Sequence, residues 1–313
     1  MITLSKIAKL AHVSVSTASK AFSMSKEVSP ETREIIFDIA RKHGCFKKYY
    51  KAQYPKLVVA VICPEFQSMI YAQHLSIIEK HLSQYNCDVC AAATYFSHER
   101  EKELLEYYSG YATVDAIIVI GDSENRVISN DMPILYTGDE VRFNLETGLI
   151  QMVDYFKMNG VKDIGYVGEI LSEGRYLALC EMLEKKGIGI KEQSVVITEK
   201  RFEIGGYEAT QKLFDTNSVP RVLVCSYDYM AIGAIRCILD NGLRVPEDVA
   251  VVGFDDIPEA EYLDPPLASI NIATDKICET VTHKLMNILH GEKIEETKEL
   301  ESKFCLRRSA EII

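Results

Sequence analysis

The sequence lacks the long apolar segments that anchor a chain in a membrane or direct it across one. It contains no run of about 18 apolar residues, so no transmembrane helix is expected. The N-terminus is polar within its first five residues, unlike a secretory signal. With 313 residues, of which 47% are hydrophobic and 26% charged, the chain is long enough for two or three globular domains. We therefore expect a cytoplasmic protein with no membrane partner.

The sequence also lacks the common motifs of catalysis and cofactor binding. It contains no G-x-G-x-x-G, Walker, G-x-S-x-G or H-E-x-x-H pattern, and its seven histidines show no ligand spacing. The nine cysteines have no framework spacing, and Cys87 and Cys90 lack the second pair that a four-ligand metal site requires. We expect buried, unreactive cysteines, with a redox role for this one pair as the alternative. An enzyme, a bound metal and a cofactor are therefore not expected.

Charge is distributed unevenly along the chain. The whole chain carries a net charge of −11, yet residues 1–56 contain 11 lysines and arginines against 4 acidic residues. A small basic segment joined to an acidic body is typical of a DNA-binding module attached to a second domain. A basic module that binds peptides is the alternative on charge alone.

The pattern of the first 44 residues predicts three short helices. The expected spans are about 5–11, 15–22 and 30–43, each with an apolar face, and Gly44 is expected to end the third. The predicted N-caps are Thr3 or Ser5, Ser14, and Ser29 followed by Pro30. Two short helices joined by a three-residue turn and braced by a third form a helix-turn-helix, whose second helix enters the major groove of DNA.

The second predicted helix has a polar surface opposite its apolar one. Its outward residues are Val15, Ser16, Thr17, Ser19 and Lys20. Hydroxyl groups can bond phosphates and base edges, a valine methyl can contact thymine, and a lysine can reach the acceptors of guanine. This composition predicts a helix that reads DNA.

The remainder of the chain alternates strands with helices. The apolar run LVVAVICPE, starting at Leu57, is typical of a strand buried on both faces, and helices of 10–18 residues separate it from the strands that follow. This alternation predicts parallel sheets with crossover helices. The pattern begins again at KDIGYVG, so we expect two subdomains with a ligand cleft at the carboxyl ends of their strands.

Several blocks resemble one protein family. The segments TLSKIAKLAHVSVSTASKAF, VSPETREII, DYMAIGAIRCILDNGLRVPEDVAVVGFDDIP and DPPLASI are similar to blocks of the lactose/galactose repressor (LacI-type) family of bacterial transcription regulators. The resemblance implies a helix-turn-helix DNA-binding domain over 1–44 and a hinge or linker over 45–56. It also implies an effector-binding and dimerisation core over 57–313, with two parallel-sheet subdomains like those of periplasmic binding proteins.

The resemblance implies roles for residues at the DNA. Val15, Ser16 and Lys20 fall where the family reads bases, and the residues expected to hold phosphates are Thr17, Ser19 and Thr32. His12 replaces the usual glycine of the turn, and histidine tolerates positive φ better than most side chains. The hinge departs from the family: Tyr54 lies near the position of the leucine that wedges into the minor groove. The alternative is a basic linker whose lysines lie over phosphates.

The resemblance also implies an effector site. Its candidate residues are Ser68, Ile70, Tyr71, Arg175, Phe202 (or Arg201 if the alignment slips by one), Tyr227 and Asp255. Arg175 and Asp255 match family residues that bond ligand oxygens, whereas Tyr227 replaces an asparagine and Asp228 beside it is expected to cap a helix. A mono- or disaccharide is the first expectation, and a purine-like or phosphorylated ligand, or a core without ligand, stays open.

The function implied is that of a ligand-responsive transcription regulator, a repressor of carbohydrate-utilisation genes. It would bind a pseudo-palindromic DNA operator as a homodimer, with dimer contacts around Leu75–Leu82 and Cys278–Leu289. The alternatives are a regulator of the same fold controlled by a protein co-regulator or a non-sugar ligand, and, more remotely, an enzyme built on a sugar-binding fold.

Overall fold

The computed structural model describes residues 2–50, 56–111, 114–122, 132–216, 219–293 and 299–312. The α-helices in these ranges are α1 (Leu4–Leu10), α2 (Val15–Phe22), α3 (Pro30–Lys42), α4 (Phe46–Tyr50), α5 (Met69–Ser83), α6 (His98–Glu106), α7 (Thr137–Glu140), α8 (Glu146–Met158), α9 (Glu173–Lys185), α10 (Phe202–Asp215), α11 (Asp228–Asp240) and α12 (Thr274–His290). The strands are β1 (Leu57–Cys63), β2 (Cys87–Ala93), β3 (Ala116–Val119), β4 (Ile134–Tyr136), β5 (Phe143–Asn144), β6 (Ile164–Glu169), β7 (Val195–Thr198), β8 (Val222–Cys225), β9 (Ala250–Asp255), β10 (Ala268–Asn271), β11 (Leu300–Glu301) and β12 (Lys303–Cys305). Across these ranges, no helix is both long and apolar enough to cross a bilayer.

The chain divides into two compact units. Unit N comprises Met1–Arg142 with Asp275–Lys298, and unit C comprises Phe143–Thr274 with Glu299–Ile313. Unit N contains a four-stranded parallel sheet in the order β2-β1-β3-β4. Unit C contains a six-stranded sheet in the order β12-β10-β9-β8-β6-β7, parallel except for β12. The predicted fold class, a helical N-terminal head followed by parallel α/β subdomains, is confirmed.

Three capped helices, α1, α2 and α3, form the N-terminal part of unit N, which we call the head. The side chains of Thr3, Ser14 and Ser29 each accept a hydrogen bond from the backbone N–H three residues later, which satisfies a donor that the helix leaves unpaired. His12 lies in the turn between α1 and α2 with φ of 55°, as expected of a residue that replaces glycine there. Gly44, with φ of 60°, follows α3 and ends it.

Helix α4 belongs to the head. Phe46 is buried, and its ring centroid lies 4.8 Å from that of Phe37 on α3 and 4.8 Å from that of Tyr50. Arg41 places its guanidinium 4.9 Å from the Phe46 ring centroid, a cation–π contact. The family resemblance implies a hinge or linker over 45–56, but these aromatic contacts hold Phe46–Tyr50 in the packed head. Tyr54, the predicted minor-groove wedge, lies outside the described residues.

Alternation along the strands of unit C gives its sheet two covered faces. On β8, Val222 and Val224 join a cluster with α8 and α9, whereas Leu223 and Cys225 join a cluster with α10 and α11. Both faces are buried at β8, which explains why its sequence VLVC is continuously apolar. Helices α10 and α11 pack closely at Gly206, where a Cβ would lie 2.0 Å from the Met230 carbonyl oxygen.

We expect Phe46→Ala to destabilise the head, because Phe46 is 6% exposed and closes the aromatic cluster. The free energy of local unfolding of the head should fall by about 3 kcal/mol, the size typical of a buried Phe→Ala change. Hydrogen exchange of the α1–α3 amides in the full chain measures it. Ile35→Ala, at a position 54% exposed on α3, is the control. Equal exchange in the two variants would show that α4 is not part of the head.

Candidate nucleic-acid interface and effector site

Helix α2 separates its packing and polar surfaces. Ala18, Ala21 and Phe22 are buried in the head, and the small alanines allow close packing. The predicted DNA-reading residues lie on the other side: Val15, Ser16 and Ser19 are exposed, and Thr17 and Lys20 are partly exposed. The helix therefore presents a continuous surface of small and polar groups to its surroundings.

Two of the three hydroxyl groups expected at phosphates lie beside helix caps, and the third, that of Ser19, is exposed on α2. The Thr17 and Ser14 hydroxyl oxygens lie 2.8 Å apart, at the start of α2. At the start of α3 the Ser29 hydroxyl donates to the Thr32 hydroxyl oxygen at 3.1 Å. Both threonines remain partly exposed, so each helix start presents a hydroxyl pair and the first backbone N–H groups together. Such a combination suits phosphate oxygens.

Lys20 forms an ion pair that is not among the sequence-based predictions. Its ammonium donates to a carboxylate oxygen of Glu27, in the loop between α2 and α3. A sequence signal was present, because Glu27 is the first acidic residue of the chain and precedes α3. The only basic side chain on α2 thus has an anionic neighbour in the head.

In unit N, the candidate effector residues follow the carboxyl end of β1. Ser68 is buried and precedes α5, and its side chain makes no capping hydrogen bond. The Ile70 carbonyl oxygen lies 2.7 Å from Nδ1 of His74. The Tyr71 and Phe96 rings meet edge to face with their centroids 6.3 Å apart. The structure therefore groups the three predicted residues at one sheet end.

In unit C, Arg175 and Asp255 are brought together. Nη2 of Arg175 donates to the Asp255 carboxylate at 2.6 Å, and Nη1 donates to the Ser226 carbonyl oxygen at 2.7 Å. Asp255 ends β9 and Ser226 follows β8, so both acceptors stand at carboxyl ends of neighbouring strands. The Arg175 side chain is 26% exposed and the Asp255 side chain 6%. This pair offers fixed N–H donors beside a buried acceptor.

A second buried carboxylate lies at the end of β6. Glu169 accepts from the Tyr227 hydroxyl at 2.9 Å and from Nε of Arg201 at 2.9 Å. Burial raises the pKa of Tyr227, so the phenol retains the proton that it donates. The Tyr227 oxygen in turn accepts from the Phe202 backbone N–H at 2.8 Å, and Phe202 has φ of 58°.

Arg201 and Phe202 are alternative candidates for one position in the sequence, and both belong to this arrangement. The Arg201 guanidinium lies 4.7 Å from the Phe202 ring centroid, and that ring meets the Tyr227 ring edge to face. Glu169 was missed, although a charged residue that ends the apolar strand IGYVGE is a recognisable signal. The structure therefore adds Glu169 to the candidate site.

Asp228 does not cap α11, which corrects the sequence interpretation. Its carboxylate accepts from the Ile257 backbone N–H at 2.8 Å and from the Ser269 hydroxyl at 2.7 Å. Burial, followed by the charge of Asp255, raises the pKa of Asp228 well above its usual range. Gly253 leaves room for this carboxylate, because a Cβ there would lie 2.0 Å from its oxygen. Asp228 thus links the start of α11 to β10 and to the segment that follows β9, the strand that ends at Asp255.

Comparison with protein families matches both parts of the chain. Residues 3–45 match the model described as "Bacterial regulatory proteins, lacI family", and residues 153–310 match a periplasmic binding protein-like domain. The probable HTH-type transcriptional repressor ExuR of Bacillus subtilis (strain 168) is 26% identical, over 99% of this chain and 98% of that protein. The HTH-type transcriptional regulator GalR of Lacticaseibacillus casei is 25% identical, over 99% of this chain and 100% of that protein.

Solved structures show the same fold. The lac repressor dimer bound to operator and the anti-inducer ONPF superposes with a TM-score of 0.71 at 20% identity, covering 98% of each chain. The complex of transcriptional regulator CelR with cellobiose superposes with a TM-score of 0.66 at 24% identity, covering 99% of this chain and 100% of that one.

We expect Tyr227→Phe to destabilise unit C, because it leaves the partly buried Phe202 N–H without its acceptor and the buried Glu169 without one donor. The predicted loss is about 2 kcal/mol in the free energy of unfolding. Urea unfolding measures it. Tyr262→Phe removes the same hydroxyl at a side chain that is 87% exposed and should change nothing measurable. Equal stability of the two variants would contradict the network.

Proposed function

We propose a function from the premise that this chain belongs to the lacI family of bacterial regulatory proteins and carries a periplasmic binding protein-like domain. It is a ligand-responsive transcription repressor that binds a pseudo-palindromic DNA operator as a homodimer. The observation that carries the proposal is the exposed polar surface of α2 in a packed helix-turn-helix head. Because its target is chromosomal DNA, it acts in the bacterial cytoplasm, and it does so without catalysis.

At the DNA, each head inserts α2 into the major groove. Val15, Ser16 and Lys20 contact base edges, and the hydroxyl pairs at the starts of α2 and α3 contact phosphates through Thr17 and Thr32, with Ser19 alongside. A dimer places two such heads on two half-sites, which accounts for the two-fold symmetry of the proposed operator. Helices α5 and α12 of unit N supply the proposed dimer contact. The solved lac repressor dimer, bound to its operator, supports this assembly for the fold.

Unit C supplies donors and acceptors for a small-molecule effector. Arg175 and Asp255 bind vicinal hydroxyls of a mono- or disaccharide, with Tyr227 and Phe202 as an aromatic boundary. The effector roles of Ser68, Ile70 and Tyr71 in unit N stay predictions from the family resemblance. The cellobiose complex of a protein with this fold supports a sugar. The effector controls DNA binding only if it binds one conformation of the protein better than the other.

Lys20→Ala should weaken operator binding roughly 10- to 100-fold, because a good base contact contributes about 1–3 kcal/mol of discrimination. Selection of a preferred duplex from random DNA, followed by titration of both variants, measures this effect. Lys102→Ala makes the same change on the exposed surface of α6 and should bind like the wild type. An unchanged preference in Lys20→Ala would contradict the assignment of α2 as the reading helix.

Asp255→Ala should abolish the response to effector and leave operator affinity unchanged, because Asp255 lies in unit C, outside the head. A thermal-shift panel of neutral sugars, sugar acids and sugar phosphates first identifies a stabilising ligand for the wild type. The change in affinity for the selected duplex that this ligand causes, in either direction, is then compared between the two proteins. A variant that responds normally would rule out the ligand role of Asp255, and a wild type stabilised by no member of the panel would favour a protein co-regulator.

A further inference from the structure

The pairing of Lys20 with Glu27 places a negative charge within the surface that faces DNA. Both side chains remain substantially accessible, Lys20 at 44% and Glu27 at 67%, so the pair lies on the surface of the head. Every phosphate that approaches the Lys20 ammonium therefore also approaches the Glu27 carboxylate. A base edge that approaches the same ammonium carries no formal charge and meets no such repulsion.

The loop that carries Glu27 is held in place by the head. The Ser25 N–H donates to the carbonyl oxygen of Lys20 itself at 3.0 Å. The Arg33 guanidinium on α3 donates to the Ser25 carbonyl oxygen at 2.7 Å and to the Val28 carbonyl oxygen at 3.1 Å. The Val28 side chain is buried in the core of the head. Glu27 thus lies between two anchored residues, and its position relative to α2 is fixed by the fold.

The Lys20–Glu27 ion pair can persist when Lys20 contacts a base edge of the operator. An ammonium has three N–H donors, so Lys20 can donate to guanine O6 or N7 while it still donates to Glu27. On a phosphate, by contrast, the same geometry brings two anions to one ammonium. The carboxylate therefore opposes phosphate binding by Lys20 more strongly than it opposes base binding.

We propose that Glu27 is a specificity-determining residue of the DNA interface. Its carboxylate disfavours binding of Lys20 to the phosphate backbone and so favours binding of Lys20 to a base edge. This inference rests on the proposed function as a sequence-specific repressor. It assigns to Glu27 the reduction of non-specific DNA binding rather than the creation of operator contacts. Its effect is therefore exerted through Lys20.

The test compares Glu27→Gln with Glu34→Gln in the full-length protein. Glu34 lies on the same head, its side chain is 63% exposed and its partner is Arg41, so the control removes an equal charge away from Lys20. Each protein is titrated with the duplex selected by the wild type and with a scrambled duplex of the same composition, at several salt concentrations.

For Glu27→Gln we expect scrambled-duplex affinity to rise about threefold to tenfold at low salt, with a smaller change for the selected duplex. The logarithmic salt dependence on scrambled DNA should steepen by about 0.9 per head, the value for one added phosphate contact. Glu34→Gln should affect the two duplexes equally, without a steeper salt dependence. In a Lys20→Ala background, Glu27→Gln should no longer raise scrambled-duplex affinity.

Three results would overturn the inference. One is Glu27→Gln behaving like Glu34→Gln on both duplexes. Another is an undiminished gain on scrambled DNA when Lys20 is already alanine. A third is a loss of selected-duplex affinity alone, which would make Glu27 a base contact. Failure of the proposed function is a separate observation: the wild type would then prefer no duplex recovered from random DNA.

Discussion

A carboxyl group taken out of water needs hydrogen-bond or charged partners, and the described part of unit C buries three such groups near the carboxyl ends of its strands. Glu169, Asp228 and Asp255 are all buried there. The identity of the surrounding residues follows from this requirement. Arg201 and Tyr227 donate hydrogen bonds to Glu169, and Arg175 donates one to Asp255. Asp228 accepts hydrogen bonds from a hydroxyl and a backbone N–H. The hydrogen bonds that stabilise these buried carboxyl groups also fix the orientation of donors and acceptors near the carboxyl ends of the strands. Recognition of a polyhydroxylated ligand needs such oriented groups.

The head has to fold with a small core, because about 50 residues provide little apolar area to bury. Its core depends on small alanines that bring α2 close to α1 and α3, and on aromatic rings contributed by α2, α3 and α4. Alanine leaves the remaining surface of α2 available for hydroxyl groups and one lysine. One side of this short helix therefore packs in the core, and the other side is available for recognition. A substitution on one side has to preserve the role of the other.

Local signals in the sequence predicted much of this arrangement. The caps at Ser14 and Ser29 and the strands of the α/β body depend on neighbouring residues or on simple periodicity, whereas the positive φ at His12 is implied by the family resemblance. The spacing of Phe46, Tyr49 and Tyr50 also marks one helical face, but intervening lysines made the segment resemble a linker.

Other features depend on partners distant in the sequence. Asp228 stands where a cap is common, yet its acceptors are used by Ile257 and Ser269, which the fold brings to it. Glu169 similarly finds Arg201 and Tyr227 on other elements. The motif resemblance located Arg175 and Asp255 without showing that they contact each other. Pairings of this kind follow from sheet order, which no local pattern encodes.

The packing of α4 onto the head has a consequence for how far that head can reach. Helix α4 ends at Tyr50 and β1 begins at Leu57, so the covalent tether is short. An extended chain spans at most about 3.6 Å per residue, which limits the distance between these two Cα atoms to about 25 Å. In the proposed dimer, a short tether raises the effective concentration of the second head near a correctly spaced half-site and excludes half-sites beyond its span. For the proposed dimer, the length of this tether would limit which operator spacings can be bound, in addition to the base contacts made by side chains.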